Sequence, residues 1–126
     1  MNKIINALMI FVGISGCFSV LFGAWLAHAG QGLAESTQSS LATALQYQLF
    51  HTLALLCCIV LAKNKPPSKL LFAACISFIL GILCFSGTIY LKSFFEIPLL
   101  AKLTPFGGIS LALAWALLAF EGKNTL

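Results

Sequence analysis

The chain has 126 residues, of which 60% are hydrophobic and only 8% charged, with a formal net charge of +4. A soluble domain carries about 25% charged residues to wet its surface, so this composition, with a mean hydropathy of +1.03, excludes a soluble globular protein. No clustered basic face points to nucleic acid, and the positive charge reads as a membrane-topology signal.

A helix needs about 20 apolar residues to cross roughly 30 Å of hydrocarbon. The first such stretch is 4–27. Its start, MNK followed by IINALMIFVG and ISGC, has the look of a lipoprotein signal with Cys17 as the modified residue. A signal's apolar region ends after about 7–15 residues, whereas here FSVLFGAWLA carries it on. An uncleaved spanning helix is therefore expected. Ser15, Ser19, Gly23 and Ala27 recur every fourth position along it, a small-residue stripe of the kind that lets membrane helices approach closely. His28 closes the span.

GQGLAESTQSS (30–40) reads as a polar loop, and 41–62 as the second span. Within that span ALQYQLFH sets Tyr47, Gln48 and His51 at helical spacings of three and four, which places them on one face. Polar side chains in hydrocarbon are costly without partners, so this face is expected to point into the bundle. His51 would lie about 15 Å in from Leu41. KNKPPSK (63–69) breaks the chain again, because a Pro-Pro pair cannot continue a helix.

The third span, 70–91, ends in FSGTIY, bringing Ser86 and Tyr90 to the end at which the second begins. Ser77 and Gly81 form a second small-residue stripe. KSFFEIPLLAK (92–102) reads as an interfacial segment, with Phe94–Leu100 lying along the membrane surface. The fourth span is then 104–120, with Thr104 as N-cap and Pro105 as first helical residue. Its free N–H groups, beside Gly107 and Gly108, would offer a seat for an anionic or carbonyl group. Gly108, Ala112 and Ala116 make a third stripe.

The fold expected is an all-α, antiparallel membrane four-helix bundle in a single transmembrane domain. Lys3, Lys63, Lys65, Lys69 and Lys123 fall on one side of it, Lys92 and Lys102 on the other. The positive-inside rule then puts both termini in the cytoplasm. The polar groups gather in the outer leaflet as a candidate ligand-binding set: His28, Tyr47, Gln48, His51, Ser86, Tyr90, Thr104, Gly107 and Gly108.

LFGAWLAHA, LQYQLFHTLALL, LCFSGTIYL and LTPFGGISLALAWALLA, in that order over nearly the whole chain, resemble the YgdD/YwdK family of small bacterial inner-membrane proteins. That family has animal relatives and is classed as of unknown function. The resemblance implies a multi-pass protein of the bacterial inner membrane. By motif it singles out Gly23, Ala24 and His28, then Tyr47, Gln48 and His51, then Phe85, Ser86, Gly87 and Tyr90. In the last span it singles out Thr104, Pro105, Gly107, Gly108 and Trp115. Trp25 and Leu26 stand here where the family usually has Phe and Gly.

Chemistry narrows the roles. His28 and His51 differ too much in depth to ligate one haem. Glu35, Glu96 and Glu121 sit at loops or helix ends, away from any metal-type cluster, and none can orient a histidine for hydrolysis or carry an intramembrane proton. The five cysteines, odd in number and without CxxC spacing, read as small apolar residues. No cofactor is expected. The reading is a non-enzymatic binding or accessory protein with an outer-leaflet polar pocket. Its alternative is a carrier of a small molecule, lipid or quinone, with haem binding or another membrane enzyme more distant. Partners are the bilayer and, through the small-residue stripes, a second copy or a larger membrane complex.

Overall fold

Each apolar run winds into a helix that satisfies its own backbone, as a chain in hydrocarbon must. The computed structural model describes residues 2–66 and 68–125. The first span is α1 (Asn2–His28), continued by a 3-10 turn, Ala29–Gly32; the second is α2 (Glu35–Lys63). The third joins α3 (Lys69–Gly81), a π-helical segment Ile82–Gly87 and α4 (Thr88–Phe94); the fourth is α5 (Pro98–Thr125). All four spans are long and apolar enough to cross a membrane. Among the described residues there is no strand, and the architecture is an all-α four-helix bundle.

Two expected loops turn out to be largely helical. Residues 35–40 form the first turns of α2, with Glu35 at the helix start, where a negative charge suits the dipole. The connection shrinks to Leu33–Ala34 and is stitched by side chains. Gln38 Nε2 donates to Leu33 O at 2.7 Å and to Gln31 O at 3.0 Å, and Gln31 Nε2 donates to Leu26 O. Polar composition alone had suggested a loop, yet after Gly32 the segment has neither Gly nor Pro to stop a helix.

The fourth span is the larger correction. It starts at Pro98, not at Thr104, and Pro105 lies inside it. Pro98 takes the first-turn position that suits a residue without an N–H. Only residues 95–97 separate it from α4, so Phe94–Leu100 is not a separate interfacial segment. Pro105 has no N–H to offer Ala101 O, an interruption that membrane helices tolerate. Thr104 Oγ1 donates to Leu100 O at 3.1 Å and lies 2.7 Å from Thr88 Oγ1. At the break between the second and third spans, Ser68 caps α3 by accepting from Leu71 N–H. Pro67 of the Pro-Pro pair lies outside the described residues.

Paired residues fix the helix directions. Ser15 meets Gln48 and Thr52, so α1 and α2 are antiparallel. Ser110 meets Ser77 while Thr104 meets Thr88, so the fourth span opposes the third. The main packings are α1 on α2 and α5 on α3, with α2 and α3 together in the centre. One core cluster draws on all four spans, with Leu8 and Val12 from α1, Leu55 and Ile59 from α2, Phe78 from α3 and Leu111 from α5. Cys58 and Cys75 are buried in it as free thiols.

The small residues are used unevenly. A Cβ on Gly107 would fall 2.3 Å from Phe85 N and 2.5 Å from Cys84 C, so α5 rests directly on the backbone of the π segment. At Gly108 it would meet only the Phe85 ring at 3.7 Å, ordinary contact. Ala112 and Ala116 are exposed. The stripe expected on the fourth helix therefore faces outward beyond Gly108, and Gly107, Leu111 and Ala114 make the contact face. Ser15 and Ser19 on α1 are buried as expected.

Candidate functional site

A chain of hydrogen bonds runs through the middle of the bundle. Gln48, 6% exposed on α2, is its hub. Its Nε2 donates to Ser15 Oγ at 3.0 Å and to Ser15 O at 3.4 Å. Its Oε1 accepts from the Tyr90 hydroxyl at 2.6 Å. Ser15 Oγ also pairs with Thr52 Oγ1 at 2.8 Å, and Ser19 Oγ donates to Ser15 O at 2.7 Å. Nε2 donates to Ser15 while Oε1 accepts from Tyr90, so both polar atoms of the amide are engaged. Three spans are thus joined through one side chain.

Ser86 lies outside that chain. The π segment turns its Oγ toward α2, where it donates to Ala44 O at 2.6 Å. It does not meet His51, so no nucleophile–base pair forms. Where the π segment returns to α-helix, Thr88 Oγ1 lies 2.6 Å from Cys84 O and 3.1 Å from Phe85 O. Thr88 and Thr104 share two hydroxyl protons among these carbonyls, Leu100 O and each other.

His51 and Tyr47 belong to a different face. Successive helix residues are about 100° apart, so Gln48 can look toward α1 while Tyr47 looks past the third span. Tyr47 is 41% exposed, not inward-facing as the helical spacing suggested. Its ring lies 4.7 Å from that of Phe85 and 5.7 Å from that of His51. The His51 ring is buried and sits 5.9 Å from Phe78 and 6.0 Å from Trp115. Its Nδ1 bonds to Tyr47 O, one turn back on its own helix, at 2.6 Å. Because α2 begins at Glu35, His51 lies about 24 Å into a helix of roughly 43 Å. It is near mid-span, not in one leaflet.

The remaining expectations divide. Tyr90 is brought to Gln48 and to an aromatic ladder on α1, with ring centroids 4.9 Å from Phe22 and 5.5 Å from Phe18. His28 is exposed at the end of α1, outside this network. Thr104 is no N-cap, so the N–H seat expected at Thr104–Gly108 is absent; those N–H groups lie inside a helix.

The roles of three polar residues are not legible in the sequence. Ser15 and Thr52 look like packing residues, and only their partners reveal them as links. Glu121 looks like a helix-end charge, yet it is 1% exposed. It is ion-paired with Lys65 and accepts from Ser68 Oγ at 2.6 Å, tying the fourth span to the 63–69 connection. The one available signal was its place at the end of an apolar run opposite a lysine-rich turn.

Residues 22–108 match the family described as "Protein of unknown function (DUF423)". The chain is similar to a UPF0382 membrane protein of Haemophilus influenzae, 34% identical over 91% of this chain and 92% of the relative. It is also 34% identical to the UPF0382 inner membrane protein YgdD of Escherichia coli, over 88% of this chain and 85% of that one. The Bacillus subtilis UPF0382 membrane protein YwdK is 27% identical over 94% and 97%. No solved structure matches the chain.

Proposed function

The chain belongs to the DUF423 family of membrane proteins, and from that premise we propose that it is a non-enzymatic accessory or binding protein acting through its lipid-facing surface. One observation carries this reading: the polar chain centred on Gln48 is closed on itself. Both polar atoms of that amide are committed within the bundle, Nε2 to Ser15 and Oε1 to Tyr90. Interhelical hydrogen bonds of this kind commonly hold membrane helices together. Among the described residues no fully buried side-chain nitrogen or oxygen atom lacks a partner, and no set of three metal-type side chains gathers.

The broad outer faces of α1 and α5 are where a larger membrane complex or a second copy would dock. Ile10, Ile14, Val20 and Leu21 on α1, and Phe106, Ile109 and Leu113 on α5, are all exposed. The lysine distribution orients the protein in the inner membrane with both termini in the cytoplasm.

The test compares Gln48→Met with the parent protein, purified in mild detergent, by thermal unfolding and native mass spectrometry. A lower Tm with the same set of co-purified molecules is expected. Loss of a co-purified molecule at unchanged Tm would overturn the reading, because Gln48 would then be a ligand contact.

A further inference from the structure

We propose that His51, with the rings of Tyr47, Phe85 and Trp115, forms a lipid-facing site for a hydroquinone-type molecule dissolved in the bilayer. This rests on the preceding reading only in placing function at the lipid-facing surface.

A backbone carbonyl can only accept, so the 2.6 Å contact with Tyr47 O makes Nδ1 the donor. In the neutral imidazole Nε2 is then an acceptor, and no side chain or backbone group among the described residues bonds to it. His51 is 8% exposed. No fully buried side-chain nitrogen or oxygen lacks a partner among the described residues, so this nitrogen must reach the surface of the bundle. At mid-span that surface meets hydrocarbon, where an unmatched acceptor is costly. The indole N–H of Trp115 and the hydroxyl of Tyr47 likewise make no hydrogen bond among the described residues, and both side chains are exposed, at 49% and 41%. A tryptophan at mid-span is also out of place for the interfacial belt.

The rings of Phe85, Tyr47, His51 and Trp115 follow one another with neighbouring centroids 4.7–6.0 Å apart, and the fully buried Phe78 backs His51 and Trp115 from the core. A groove of about 210 Å³ lined by Ala54, Cys57, Cys58, Leu61 and Leu118 meets this set of rings at Trp115. A cavity of about 150 Å³ is enough to take up benzene. The occupant that fits is apolar enough to dissolve in the bilayer, flat enough to stack on the rings, and carries a hydroxyl to donate to Nε2. Hydroquinones meet all three conditions. No electron transfer is involved, only binding.

The experiment uses the full chain in nanodiscs with Trp25→Phe, leaving Trp115 as the reporter, since the chain has 2 tryptophans. Tetramethylhydroquinone is titrated against Trp115 fluorescence, with its dimethyl ether, which cannot donate, as control. Saturable quenching is expected, weakened about tenfold for the ether or by His51→Phe, the loss of one good hydrogen bond. Non-saturating quenching, equal affinity for diol and ether, or an unchanged affinity in His51→Phe would each overturn the proposal. If His51→Phe does not fold, the diol–ether comparison in the parent decides alone. Failure here leaves the Gln48 result, which tests the preceding reading, standing separately.

Discussion

Tyr90 donates its phenolic hydrogen to Gln48 Oε1 across 2.6 Å, bridging the third span to the second at residues 42 apart in sequence. Such bonds average about 0.6 kcal/mol in membrane proteins. Tyr90→Phe keeps the ring against Phe22 and removes only the hydroxyl, so a destabilisation of about that size is expected in detergent unfolding. Gln48→Leu should cost more, because it also strips Ser15 of its amide donor. Equal stability of Gln48→Leu and the parent would show that the chain does not hold the bundle.

Gly107 and Gly108 are adjacent and chemically identical, yet only the first is pressed against backbone. Gly107→Ala must push α5 off the π segment and should cost roughly 1–3 kcal/mol, the usual range for overpacking. Gly108→Ala should be nearly neutral or slightly stabilising, since Ala is the better helix former. Thermal unfolding of the two single variants side by side checks the ordering.

Lys65 and Glu121 join the 63–69 connection to the end of the fourth span. A double-mutant cycle with Lys65→Met and Glu121→Met should return a coupling of about 0.5–3 kcal/mol, the range for residues in one ion-pair network. A coupling indistinguishable from zero would mean that the pair is incidental. Cleavage by a protease directed at the 63–69 turn should also become faster in either single variant.

Because the helix runs through Pro105, that residue caps nothing. Pro105→Ala restores an N–H positioned for Ala101 O, so stability should hold or rise, whereas a residue at a helix start would gain little from the change. Thr104→Ala removes the pairing with Thr88 and should lower the Tm modestly. Circular dichroism and thermal unfolding of both variants separate the two arrangements.

For orientation, single cysteines replace Lys63 and Glu35 in a background without native cysteines. In intact cells an impermeant thiol reagent should label position 35 and spare position 63. The reverse pattern would invert the protein in the membrane.

Sequence by itself determined the number of spans and the membrane setting, because both depend on local quantities: run length, hydropathy and the near-absence of charge. It also placed Gln48, Ser86 and Tyr90 as polar groups needing partners, since an unpaired polar group in hydrocarbon is costly wherever the helix happens to point. Which partner each one takes depended on tertiary structure. Tyr47, Gln48 and His51 share a spacing, but a helix touches several neighbours around its circumference, and only the packing sends Gln48 to Ser15 and His51 to Trp115. Helix ends were misread for a related reason. Thr104–Pro105 is a good N-terminal signal locally, yet hydroxyl contacts with Thr88 and Leu100 and the seat of Gly107 on Phe85 carry the helix through it. The buried Glu121 was hidden altogether, because burial at a helix end is decided by what folds over it, here Lys65 and Ser68 from a turn more than fifty residues away.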